Sequence, residues 1–145
     1  MTATPDMPFG HTINADDIID TLSFFDGWEE RYKYIIDLGK ELPAMTESDK
    51  VEDNLIRGCQ SQVWIKPVLS EEHWHFAVDS DAFIVKGLLA VVLAAYNNKT
   101  AQDILAFDIE SYFNELGLLK HLSPTRGSGM KAMVARIQDV ARTGQ

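Results

Sequence analysis

The segment at residues 82–97, Ala-Phe-Ile-Val-Lys-Gly-Leu-Leu-Ala-Val-Val-Leu-Ala-Ala-Tyr-Asn, carries a single charge, Lys86. A surface helix needs a polar face, and this segment offers almost none. A helix that is apolar all round belongs inside a protein or a bilayer. Its unbroken apolar stretch, residues 88–96, is far short of the ~18–20 residues that cross a bilayer. The segment therefore predicts a central buried helix around which the rest of the chain folds. With 145 residues, 46% of them hydrophobic, the chain is long enough to do so as one domain. The same composition excludes a disordered chain, which requires low hydrophobicity.

The flanking sequence supplies smaller pieces. Residues 1–12, with Pro5, Pro8 and Gly10 and no periodicity, read as a flexible or loosely docked arm. Asn14 is placed to cap a first helix, and Asp16 and Asp17 favour its positive end. Ile18, Ile19, Leu22 and Phe25 form its apolar stripe, and Gly27 is available to break it. Asp26, with Trp28 and Glu29 following, resembles the start of a second helix. That helix carries Trp28, Tyr32, Ile35, Ile36 and Gly39 on one face and ends by Leu42-Pro43.

Residues 46–53 are polar and read as a helical turn and loop. Two β-branched and aromatic runs follow, Val63-Trp64-Ile65-Lys66-Pro67-Val68-Leu69 and Trp74-His75-Phe76-Ala77-Val78. Ser70-Glu71-Glu72 joins them as the turn of an antiparallel hairpin, with Pro67 confined to an edge or bulge. Asp79-Ser80-Asp81 offers N-cap candidates for the central helix, and Asn97-Asn98-Lys99 turns the chain after it. Thr100 with Asp103 starts a short helix, and residues 109–116 form another before Gly117. Ser123-Pro124 opens a last helix with Met130, Met133, Val134, Ile137 and Val140 as its stripe. Helices, hairpin, helices in that order predict an α+β fold, a small antiparallel sheet packed with helices, in one domain over residues 1–145.

Charge and cysteine count narrow the function. Lys+Arg number 13 and Asp+Glu 22, a formal net charge of -9. That is the wrong sign for gripping a nucleic-acid backbone. It suits solubility, with attraction to a basic protein as a second reading. The one cysteine, Cys59, cannot close an intramolecular disulfide, build a four-cysteine zinc site, or hold an iron–sulfur cluster unaided. Residues 1–7 lack a basic segment and an apolar core, so the expectation is no secretory signal, no membrane association and a cytoplasmic location. There a lone thiol stays reduced.

Cys59 is also the candidate nucleophile. It lies in Arg57-Gly58-Cys59-Gln60-Ser61-Gln62-Val63-Trp64, where the polar segment meets the first strand. The glycine permits a tight turn, and the small and polar neighbours leave the loop open. A free thiol with a pKa of about 8.5 is mostly protonated at neutral pH, and Arg57 or a distant arginine nearby raises its thiolate fraction. The plain alternative is an inert buried cysteine. His73 and His75 point to one strand face, as two ligands of a metal or as ordinary strand residues around a core Trp74. A thiol hydrolase lacks any recognisable histidine signature here. Arg126-Gly127-Ser128-Gly129 at a helix start suits an anion but lacks the P-loop lysine-serine pattern.

Four blocks, in order from Ser23 to the last helix, resemble the SufE/CsdE family of sulfur-acceptor proteins. They are Trp28-Glu29-Glu30-Arg31-Tyr32-x-Tyr34-Ile35-Ile36-x-Leu38-Gly39-x-x-Leu42-Pro43, and Gly58-Cys59-Gln60-Ser61-Gln62-Val63-Trp64. The others are Asp79-Ser80-Asp81-Ala82-x-Ile84-Val85-Lys86-Gly87-Leu88, and Leu122-Ser123-Pro124-Thr125-Arg126-Gly127-Ser128-Gly129-Met130. One departure is Arg126-Gly127-Ser128-Gly129, where the family often has Arg-Ser-Gln-Gly; the arginine and the final glycine keep their places.

The resemblance implies a fold similar to the IscU-type iron–sulfur scaffold. It implies a role too: taking persulfide sulfur from a SufS- or CsdA-type cysteine desulfurase, stimulating that enzyme, and passing sulfur to an iron–sulfur scaffold complex or other acceptor. The pyridoxal phosphate belongs to the partner, so no cofactor and no metal are expected on this chain. Cys59 would form the persulfide, its loop held against an apolar pocket when idle. Arg126 is expected near that loop, as a cation stabilising the sulfur anion; Asp79 and Asp81 are expected as helix caps, with a direct role as the second reading. One cysteine suits relay better than cluster assembly. The alternative is a non-catalytic regulatory partner of a desulfurase, with Cys59 incidental. Residues 60–64 look like the SufE branch and Pro8-Phe9-Gly10 like CsdE, which leaves the branch open.

Overall fold

The computed structural model describes residues 7–56 and 61–144. At its centre lies α3 (Phe83–Tyr96), in which Val85 and every residue from Gly87 onward are buried. Two helices precede it, α1 (Ala15–Ser23) and α2 (Trp28–Gly39), then short 3₁₀ turns at Glu47–Asp49 and Glu52–Asn54. The strands β1 (Val63–Ser70) and β2 (His73–Ser80) pair as a two-stranded antiparallel sheet. After α3 come α4 (Ala101–Ala106), α5 (Ile109–Leu116), α6 (Leu118–His121) and α7 (Pro124–Thr143). The α+β fold expected from the element order is the fold adopted.

Glycine sets how closely α2 and α3 approach. A Cβ on Gly87 would fall 2.2 Å from the Ile35 carbonyl oxygen, and one on Gly39 2.6 Å from the Gly87 nitrogen. Two bare α-carbons thus allow backbone-to-backbone contact that any side chain would prop apart. From the other side, the buried Tyr112 hydroxyl donates to the Val91 carbonyl at 2.8 Å.

The hairpin runs in register from Val63 opposite Ser80 to Ser70 opposite His73, with Glu71 and Glu72 as a two-residue turn at φ 52° and 66°. Pairs in such a ladder alternate between hydrogen-bonded and open, starting bonded next to the turn. Pro67, opposite Phe76, therefore falls at an open pair and forfeits no ladder bond. The outward Phe76 N–H donates instead to Asn97 Oδ1 at 2.8 Å, and Trp74 N–H to the Lys99 carbonyl at 2.7 Å. Residues 97–99 so cover the outer edge of β2, which would otherwise invite pairing with another chain.

Residues 7–9 are bound more firmly than a loose arm. Residues 1–6 lie outside the described residues, but Met7 and Phe9 are buried in the core. The buried Asn97 amide donates to the Phe9 carbonyl at 2.9 Å. Two expected helix boundaries are corrected. The chain leaves α1 at Ser23, before Gly27, because Phe25 turns inward onto Tyr34 with ring centroids 5.7 Å apart. The N-cap of α2 is Gly27, with no side-chain bond, so Asp26 does not cap it. The starts of α1 and α4 hold: Asn14 N–H donates to Asp17 Oδ2 at 2.8 Å, and Thr100 Oγ1 accepts from Asp103 N–H at 3.1 Å.

Candidate functional site

Cys59, with Arg57, Gly58 and Gln60, lies outside the described residues; hydrogen bonds hold both flanks of that segment. On the near side, Ile56 N–H donates to the Val63 carbonyl at 2.8 Å. On the far side, Gln62 and Asp81 exchange two bonds. Gln62 N–H donates to Asp81 Oδ1 at 3.1 Å, and Asp81 N–H donates to the Gln62 carbonyl at 3.3 Å.

These bonds correct the reading of Asp79 and Asp81 as helix caps. The N-cap of α3 is Ala82, with no side-chain bond. Asp81 is occupied by Gln62, and the mostly buried Asp79 lies 3.0 Å from Lys50 Nζ and 3.6 Å from Lys86 Nζ. Lys86 is the one charge on the central helix, and Asp79 supplies its counter-charge. Lys50 also lies 3.1 Å from Glu47 and over the Trp64 ring, 5.6 Å from its centroid. Asp79 first and Glu47 second raise the Lys50 pKa, so it stays a cation.

Beside the far flank is a cavity of about 200 Å³. Val85 and Leu88 of α3 give it apolar walls, Ser61 borders it, and Ser123, Thr125 and Arg126 bring the start of α7 to it. The serine-proline start foreseen for α7 holds, with Ser123 Oγ accepting from Arg126 N–H at 3.3 Å. Arg126 is exposed and makes no ion pair among the described residues. The N-terminal end of a helix adds partial positive charge to the same place. The structure thus brings Arg126 to one cavity with Ser61, two positions beyond Cys59. An arginine and a helix N-terminus above an apolar floor suit a soft, singly charged sulfur anion.

His73 and His75 share a strand face as expected, and His75 stacks on His11 with centroids 6.2 Å apart. Burial first, then His11 and His73, hold the His75 pKa below its ordinary value. Among the described residues no cluster of three or more histidine, cysteine or acidic side chains is placed to hold a metal ion. Nor is any helix among them long and apolar enough to cross a membrane. Sequence reasoning missed Asp81 as partner of Gln62, since the cap reading fits the same residues and pairing across nineteen positions leaves no local signal. It also missed the contact of Trp28 and Tyr32 with His121, although the two aromatics had been placed on one helix face.

A family profile described as SufE, Fe-S metabolism associated domain, matches residues 16–141. An uncharacterised SufE-like protein of Rhizobium etli is 41% identical over 148 residues, covering 94% of this chain and 97% of that protein. A second, from Rhizobium meliloti, is 42% identical over 137 residues, covering 88% and 94%. In fold, the chain is similar to the solution structure of a hypothetical protein from Thermus thermophilus, with TM-score 0.72 and 15% identity. That match covers 88% of this chain and 93% of the other.

Proposed function

Because this chain belongs to the SufE family, associated with Fe-S metabolism, we propose that it accepts persulfide sulfur on Cys59 from a cysteine desulfurase and passes it to iron–sulfur cluster assembly. The observation that carries the reading is the meeting at one cavity of Arg126 with Ser61, two positions beyond the chain's single cysteine. The cysteine supplies a nucleophile, and the arginine favours its anionic forms.

The transfer balances without an oxidant. The Cys59 thiolate attacks the terminal sulfur of the desulfurase persulfide, and a new sulfur–sulfur bond forms as the one inside the desulfurase breaks. The desulfurase cysteine leaves as thiolate and takes up a proton. Cys59 keeps the transferred sulfur as a persulfide. The rate depends on thiolate fraction, on which sulfur is attacked, and on access. Arg126 acts on the first by favouring charge on Cys59 before attack and on the persulfide after it. The partner's pyridoxal phosphate generates the sulfur; this chain relays it.

The test is to incubate the protein with a SufS- or CsdA-type desulfurase, pyridoxal phosphate and free cysteine, then measure the mass of the Cys59 peptide. The expected result is added sulfur on Cys59 that reductant removes, as it does for a persulfide and not for a sulfinic or sulfonic acid. Cys59→Ser should bind the desulfurase as wild type does and fail to stimulate it, since a hydroxyl is a poor nucleophile toward sulfur. No added sulfur, with full stimulation by Cys59→Ser, would establish a regulatory partner instead.

A further inference from the structure

Several contacts fasten α6, the short helix that precedes α7, to α2. The Trp28 indole stacks on the His121 imidazole, with centroids 4.0 Å apart and planes inclined by 18°. The Tyr32 hydroxyl donates to the His121 backbone carbonyl, an acceptor at a helix end, where carbonyls lack intrahelical partners. Gly117, at φ +68°, lies under the same indole, and a Cβ there would come within 3.3 Å of it. The Arg31 guanidinium lies 5.1 Å from the Trp28 ring centroid. Trp28 and Tyr32 thus close onto α6, with Arg31 over the Trp28 ring.

Helix α6 leads straight into the site. Ser123, which caps α7, follows two positions after His121, and Ser123, Thr125, Arg126 and Gly129 all line the cavity. That wall is fixed at one end by the buried Met130 and Met133 and at the other by the hold of α2 on His121. A cation assists a developing thiolate only from a defined place, and a displacement of ~1 Å can cost up to ~100-fold in rate.

We propose that Trp28, Tyr32 and His121 are positioning residues, which fix the cavity wall carrying Arg126 for the sulfur-transfer step. The inference rests on the carrier reading above and on the role given to Arg126. None of the three lines the cavity; they act through the backbone from which Arg126 projects. A cluster that serves stability alone would give the same contacts, so the test must read coupling to Arg126.

Single-turnover sulfur transfer at saturating desulfurase provides it, with each substitution made both alone and together with Arg126→Ala. Tyr32→Phe deletes one hydroxyl and keeps the ring. His121→Ala deletes the stack, and His121→Phe restores an aromatic face. Tyr32→Phe and His121→Ala should each slow transfer about 3–10-fold, with unchanged affinity for the desulfurase, and His121→Phe should come within about twofold of wild type. In the Arg126→Ala background the same substitutions should change the rate less than about twofold, the mark of residues acting through one group. Trp28→Phe gives the same comparison if His121→Ala does not fold. A wild-type rate for Tyr32→Phe, or a full penalty that persists without Arg126, overturns the proposal. So does a wild-type rate for Arg126→Ala alone. Each outcome is distinct from failure of the carrier reading, which would show as no sulfur on Cys59 in the unsubstituted protein.

Discussion

Arg126 and Gly87 both lie in the resembling motifs but answer to different forces. Arg126 is exposed, and its backbone N–H is already held by Ser123, so Arg126→Ala should melt within a degree or two of wild type. It should slow sulfur acceptance and raise the apparent pKa of Cys59, measured as alkylation rate against pH. An unchanged pKa with an unchanged transfer rate would remove the arginine from the mechanism. Gly87→Ala should do the opposite. Its new methyl would lie 2.2 Å from the Ile35 carbonyl, forcing α2 and α3 apart at a cost of about 1–3 kcal/mol or more by denaturant unfolding. The place of Arg126 in the first turn of α7 was legible because Ser123-Pro124 marks that helix start. Asn97 was legible only as a turn residue. Its burial, with Oδ1 accepting from Phe76 and Nδ2 donating to Phe9, depends on two segments far away in sequence.

The hairpin and the N-terminal strap show how elements constrain each other. Alternating β-branched and aromatic residues announced both strands, but Glu71 and Glu72 carry none of the asparagine or glycine preference of a tight hairpin turn. Their positive φ angles are imposed by the paired strands, which is why the turn was placed by position rather than recognised by type. The docking of residues 7–12 was invisible for a similar reason, since Phe9 finds its pocket only once α3 and Asn97 are in place. Where strap meets hairpin, His11 stacks on His75, whose Nδ1 is buried with no hydrogen-bond partner among the described residues. The folded protein therefore resists protonating His75, and its pKa lies below the 6.5 of an unperturbed histidine. Between those two pKa values the unfolded chain binds more protons, so stability falls as pH falls through that window and levels off beneath it. Melting temperature between pH 7 and about 5 should decline in wild type and decline less in His75→Asn. An identical slope in both would assign the pH dependence to other groups.

Across the whole molecule, α3 is both the core and part of the site, and this was the most legible feature of the sequence because an apolar helix has only one place to go. What could not be read was which of its residues face the cavity, because that depends on where α7 begins. Leu88 is 1% exposed and lines the cavity beside Arg126; Val92 is 0% exposed and does not line it. Leu88→Ala should cost about 2–5 kcal/mol, and Val92→Ala somewhat less. A melt within a degree or two of wild type for either would place α3 at the surface and overturn the architecture. Their effects on sulfur transfer should separate. Assayed well below both melting midpoints, Val92→Ala should accept sulfur at nearly the wild-type rate, because its void opens within the packed core. Leu88→Ala should alter both the alkylation rate of Cys59 and the rate of sulfur acceptance, because it removes part of the apolar wall opposite Arg126. Equal losses in the two variants would mean that transfer follows stability alone, and the cavity would then have no claim to be the place where the sulfur is held.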